Sequence, residues 1–119
     1  MEKRKFSRTA LISDYNAEFH LGGETFSKIQ VSNIGTRGCC MQLPLGSAKY
    51  LKNKPVLDNM ILFHADAKKY SLKGRVAWHD GGKNLNGQWV TAGVEFLETP
   101  QDCAQEIKEY VTAAIKKDR

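Results

Sequence analysis

Apolar and polar residues alternate with a period of two along most of the first hundred positions. Tyr15, Ala17, Phe19 and Leu21 alternate with Asp14, Asn16, Glu18 and His20, which predicts a half-buried strand from about Leu11 to Leu21. Gly22-Gly23 turns the chain. A second strand, about Thr25 to Ser32, turns Ile29 and Val31 inward and delivers Asn33 to a glycine-bearing turn. Gly38 to Leu43 reads as a short strand that Pro44-Leu-Gly46 ends. The basic stretch Ser47 to Pro55 fits a helical turn around Tyr50 and Leu51. Leu57 to Ala65, centred on Met60-Ile-Leu-Phe63, suits a strand covered on both faces. The clearest alternation sets Tyr70, Leu72, Val76 and Trp78 against Ser71, Lys73, Arg75, Ala77 and His79. A loop from Asp80 to Gly87 carries Gly81-Gly82 and Asn86-Gly87 as turn signals. The last strand, about Gln88 to Leu97, places Val90, Ala92, Val94 and Phe96 together.

The period then changes. At Thr99-Pro-Gln-Asp102, Thr99 is placed to cap a helix, Pro100 fits its first turn, and Asp102 lies near its positive end. Cys103, Ile107, Tyr110, Val111, Ala114 and Ile115 recur at helical spacing down to Lys116-Lys117. Six or so short strands followed by one helix predict an all-β core, an antiparallel barrel or sandwich over residues 10–98, with residues 99–119 as an amphipathic helix of the same domain. The apolar stripe of that helix either closes one mouth of the barrel or docks on another subunit; the first is favoured.

Length limits the architecture to this one domain. With 119 residues, 41% of them hydrophobic, the chain buries about two thirds of its unfolded surface. Apolar runs are too short to cross a bilayer, and Ala10-Leu-Ile12 is too short for a signal peptide, so a cytoplasmic protein is expected. Cys39 and Cys40 point to opposite faces of a strand and Cys103 lies on the helix, which favours reduced, structural thiols. No phosphate-binding loop, nucleophile elbow or zinc-protease motif is present. His20, His64 and His79 fall on separate strands, and Asp14, Glu18, Asp66, Asp80 and Glu95 are scattered over solvent faces. An enzyme, a metal site and a cofactor are not expected.

Charge and turn chemistry point instead to an anionic ligand. The net charge is +5, and Lys3, Arg4, Lys5 and Arg8 crowd it into an arm of residues 1–9, with Phe6 its one large apolar group. Asn33, Gly35, Arg37 and Gly38 fall within one tight turn. Glycines there permit positive φ and remove the Cβ that holds a ligand away, and Asn33 offers both a donor and an acceptor. Arm and turn together would make a pocket for something flat, polar and anionic.

These residues also carry a resemblance. Arg4-Lys-Phe-Ser-Arg8 resembles the RxxxR element of PilZ domains, and Asn33-Ile-Gly-Thr-Arg-Gly38 their [D/N]xSxxG element, in the same order. Gly74-Arg-Val-Ala-Trp78 and Gly93-Val-Glu-Phe96 look like the last two strands of that family's six-stranded antiparallel β-barrel. The resemblance implies a cyclic di-GMP receptor that couples nucleotide binding, through ordering of the arm, to an unidentified protein effector. By it, Arg4 and Arg8 grip phosphates and the O6/N7 edges of guanine, Asn33 bonds a guanine edge, and Gly38 lets the backbone approach. Arg37 adds a stacking plane or phosphate contact, while Lys3 and Lys5 supply charge. Trp78 resembles a position beside the ligand, yet its alternation with Val76 favours the core. Gly35 stands where the family has Ser. A neutral hydrogen bond contributes about 0.5–1.5 kcal/mol net, so its loss weakens binding rather than abolishing it. The alternative is a nucleotide-independent adaptor that binds protein through the helix stripe or the Lys52 to Lys73 side; single-stranded nucleic acid ranks third, because the aromatic residues fall mostly on apolar faces.

Overall fold

The computed structural model describes residues 14–64, 68–81 and 89–117, the last four of these by their backbone alone. Six antiparallel strands form a closed barrel: β1 (Tyr15–Leu21), β2 (Glu24–Ile34), β3 (Gly38–Pro44), β4 (Val56–His64), β5 (Lys69–His79) and β6 (Trp89–Glu98). Their order is β1-β2-β3-β6-β5-β4, with β4 returning to β1. A short 3-10 helix, Leu45–Tyr50, follows β3, and helix α1 covers Gln101–Lys117. No helix among the described residues is long and apolar enough to cross a membrane.

Inward positions fill the barrel as the alternation predicts. Tyr15, Ala17, Phe19 and Leu21 of β1, Leu72 and Val76 of β5, and Val90, Ala92 and Val94 of β6 are all buried. Burying each large side chain contributes about 1.5–3 kcal/mol. At the Gly22-Gly23 turn both residues adopt positive φ, and the Tyr50 ring lies where a Cβ on Gly22 would stand. The tightest turn of the barrel therefore requires glycine twice over.

Strict alternation fails at the bulges. Along β2, Ile29 opposes Ala17 but Phe26 opposes Phe19, so β2 spends one extra residue there. Lys28 absorbs it with φ 55. A second slip, between Val31 and Asn33, lets both Val31 and Ile34 face inward. On β4 a third slip turns Leu57 and Met60 inward together, although they stand three positions apart. This corrects the expectation for β4: its apolar run is not covered on both faces. Val56 is exposed and Ile61 and Phe63 are half-buried, because the outer face of a single-walled barrel meets solvent.

Helix α1 starts one residue later than expected. Its cap position falls on Pro100, whose carbonyl accepts from the Ala104 N–H at 2.9 Å. Cys103 and Ile107 are fully buried in the common core, and Tyr110 and Val111 pack against it, so the described part of the stripe closes on the barrel. Between Cys103 and Tyr110 on that stripe sits Glu106. Tyr15 and Tyr70 donate their hydroxyls to its carboxylate at 2.8 and 2.7 Å. His64 Nδ1 lies 3.1 Å and Lys68 Nζ 3.6 Å away. The Tyr15 and His64 rings stack at 4.5 Å, and Tyr110 meets both edge-on. One carboxylate thus ties the helix to β1, β4 and β5. Loss of hydration pushes the Glu106 carboxyl up, but the two tyrosine hydrogen bonds and the nearby His64 and Lys68 outweigh it, and the net shift is downward.

Glu106→Ala removes the carboxylate that accepts from the Tyr15 and Tyr70 hydroxyls and is expected to cost about 2–3 kcal/mol in chemical denaturation, with Glu106→Gln losing less. The pH dependence has a definite sign. A carboxylate whose folded-state pKa lies below its ordinary 4.5 contributes its full stability above that value and loses it as pH falls through the lower one. The stability gap between wild type and Glu106→Gln therefore narrows on acidification below about pH 4.5.

Candidate functional site

The wall formed by the end of β2, the start of β3, the middle of β6 and the end of β5 carries the described residues singled out by sequence. Register aligns four of its positions in a single row. Asn33 pairs with Cys40, Cys40 with Gly93, and Gly93 with Trp78. Three strand spacings make the row about 14 Å long. Both of its ends are turned outward by bulges. Without the slip after Val31, Asn33 would share Val31's inward parity; with it, Ile34 takes the core and Asn33 is half-buried on the wall.

Trp78 repeats the device and corrects the core reading. A register shift between Val76 and Trp78 makes Ala77 the extra residue, so Val76 stays buried while Trp78 is 48% exposed. The indole lies on Gly93: a Cβ built there would meet Trp78 Nε1 at 2.2 Å and Cε2 at 2.5 Å. Arg37, Cys40, Ala77 and Glu95 border the cleft beside it. Alternation alone missed this, because a bulge leaves no mark in a hydrophobic pattern.

The turn before β3 differs from expectation in one respect. Neither Gly35 nor Gly38 has positive φ. The Gly35 N–H donates to the Gly38 carbonyl at 2.8 Å, and the Phe96 N–H donates to the Arg37 carbonyl at 2.8 Å, which anchors the turn to β6. Gly38 is instead needed for its missing Cβ, which would stand 2.2 Å from the Val94 carbonyl oxygen. Its first role is therefore to let β3 close against β6. Arg37 is exposed and, among the described residues, forms no ion pair. Lys3, Arg4, Lys5 and Arg8 lie outside the described residues.

The other titratable groups serve the fold. His20 Nδ1 is 2.9 Å from the Thr25 hydroxyl, His64 faces Glu106, and the Gly81 N–H donates to His79 Nδ1 at 3.1 Å. No group of three His, Cys, Asp or Glu among the described residues could hold one metal ion. Cys39 and Cys103 are buried and free, and burial raises both thiols, that of Cys103 to about 12. At neutral pH they remain protonated and weakly nucleophilic.

The family model for the PilZ domain matches residues 2–113. The chain belongs to the PilZ family. No curated protein matches it by sequence. Among solved structures, this PilZ chain is similar to the Bacillus subtilis inhibitor of motility MotI, with a TM-score of 0.78 at 14% identity. That likeness covers 100% of the present chain and 54% of MotI. The complex of K. pneumonia MrkH with c-di-GMP superposes with a TM-score of 0.79 at 18% identity, over 99% of this chain and 55% of MrkH. The PilZ domain of Escherichia coli YcgR, with c-di-GMP, gives 0.72 at 10% identity, over 99% of this chain and 95% of that one. The PilZ chain thus spans about half the length of MotI and MrkH, and at these identities the likeness is one of fold.

Two glycine substitutions separate closure of the PilZ barrel from support of the indole. Gly38→Ala drives a methyl into backbone and is expected to cost about 2–3 kcal/mol of stability. Gly93→Ala meets first the Trp78 side chain, which can swing outward. It should cost less and red-shift Trp78 emission in a Trp89→Phe background, as fluorescence during denaturation will read.

Proposed function

We propose that this PilZ domain is a receptor for cyclic di-GMP. The observation that carries the reading is the bulge-built row from Asn33 to Trp78, which leaves a half-exposed indole beside Arg37, a cation that pairs with no carboxylate among the described residues. Exposed tryptophan on a barrel wall carries a hydration cost that base stacking removes, and a base stacked on an aromatic ring gains about 1–3 kcal/mol. A guanidinium at the cleft rim suits a phosphate or a purine face. Membership of the PilZ family and the two c-di-GMP complexes of similar fold support the same ligand.

In this reading Arg4 and Arg8 close over the nucleotide and bond its phosphates and guanine O6/N7 edges, while Lys3 and Lys5 add charge. Asn33 bonds a base edge, Arg37 holds a phosphate, and Trp78 stacks a base. Glycine at position 35 removes one hydroxyl from the turn. Ordering of the arm over the wall then makes a new surface for a protein effector, and its entropic cost is offset by the arginine contacts.

Calorimetric titration with cyclic di-GMP, cyclic di-AMP and GMP tests the receptor. Guanine-selective binding is expected, weakened at least tenfold by Arg4→Ala or Arg8→Ala, since an arginine pair to guanine contributes about 1–3 kcal/mol. Trp78→Ala should weaken it by a similar factor. Absence of heat and of any thermal shift with cyclic di-GMP would overturn the reading in favour of a nucleotide-independent adaptor.

A further inference from the structure

Beside the row from Asn33 to Trp78 runs a second one on the same wall. Gly38 pairs with Glu95, and Glu95 with Arg75. Glu95 borders the cleft shared by Arg37 and Trp78, two residues along β6 from Gly93 and so about 7 Å from the base of the indole. Arg75 Nη2 donates to Glu95 Oε1 at 3.3 Å, and the two side chains are 46% and 52% exposed. A carboxylate thus stands at the rim of a cleft whose other charged lining residue is a cation.

Such a carboxylate needs a reason. If phosphates were the only groups to be bound, Glu95 would oppose them, and a neutral residue would serve better. Guanine supplies the reason. Its O6/N7 edge accepts and suits arginine, but its N1–H and N2–H₂ groups donate, and arginine and lysine have no acceptor to offer them. A carboxylate accepts at both oxygens, and charge-assisted bonds of this kind are about twice as strong as neutral ones. Adenine presents a bare N1 acceptor at the same place, which a carboxylate repels, so the group that favours guanine also rejects adenine.

We infer that Glu95 is the guanine-specificity residue of the cleft, accepting from N1–H and N2–H₂ of a purine stacked beside Trp78, and that Arg75 positions it. Arg75 engages Oε1, restrains the side chain on the wall and offsets its charge toward the phosphates. The second oxygen and the remaining lone pair of Oε1 are left for the base. The assignment rests on the receptor reading and adds to it the group that tells guanine from adenine.

The test compares two nucleotides of equal charge, so that phosphate repulsion cancels. Wild type, Glu95→Gln and Arg75→Ala are titrated with cyclic di-GMP and cyclic di-AMP. Glu95→Gln is expected to weaken cyclic di-GMP at least tenfold, to leave cyclic di-AMP unchanged or tighter, and so to lower the guanine-to-adenine ratio at least tenfold. Arg75→Ala should lower the same ratio by a smaller factor. Wild type titrated with cyclic di-IMP, which lacks the N2 amino group and keeps O6 and N7, should bind at least threefold more weakly than with cyclic di-GMP; this arm needs no variant to fold. An unchanged ratio in Glu95→Gln, or equal gains for both nucleotides, overturns the assignment and leaves the receptor standing. Failure of wild type to bind cyclic di-GMP overturns both.

Discussion

Closure of the barrel is the constraint on which everything else depends. Each of the six described strands has a hydrogen-bonded neighbour on both sides, so the barrel they form has no open edge to recruit a partner or a ligand. The interior is filled by residues such as Tyr15, Phe19, Met41, Leu57 and Met60, each with at most 1% of its surface exposed. What remains for function is the outside of a wall one residue thick. The wall itself meets its tightest approach where Gly38 faces the Val94 carbonyl. A residue that looks like part of a binding motif is, at that point, the condition for β3 and β6 to meet at all.

On such a wall strict alternation gives every second residue to the core, and a site built from consecutive outward residues would be sparse. Bulges change that. Each adds a residue to one strand and reverses inward and outward beyond it. The slip after Val31 turns Asn33 out, and the slip after Val76 turns Trp78 out, at opposite ends of one cross-strand row. Gly93 lies between them, and the absence of its Cβ lets the indole come against the backbone. The two devices supply what a smooth barrel lacks, a wide patch with an aromatic ring at one end and an amide at the other.

This explains which parts of the molecule could be read from sequence. Period-two runs such as Tyr15 to Leu21 and Val90 to Val94 are local, and they gave strands with the right faces. Gly22-Gly23 announced its turn because positive φ is a property of the residue itself. Trp78 departs from the alternation because its facing is decided by pairing with β6, a non-local fact. The mixed spacing of Leu57 and Met60 concealed a bulge in the same way. Glu106 left a trace that can be recognised: a lone carboxylate on the apolar stripe between Cys103 and Tyr110 requires donors, and two tyrosines, His64 and Lys68 supply them.

The helix contact and the wall patch are also separate in space. Tyr70 and Trp78 lie eight residues apart on β5, about 26 Å of strand, so the docking of α1 leaves the wall uncovered. The turn that bears Arg37 is likewise independent of side-chain chemistry at position 35. Its shape is held by backbone, through the Gly35 N–H to the Gly38 carbonyl and the Phe96 N–H to the Arg37 carbonyl. A hydroxyl at position 35 is therefore not needed to form the turn. Its absence removes one neutral hydrogen bond, about 0.5–1.5 kcal/mol, against about 1–3 kcal/mol each for a stacked base and a paired arginine. On those magnitudes, in the proposed receptor the aromatic plane and the guanidinium groups would decide whether a nucleotide is held, and Gly35 only how tightly.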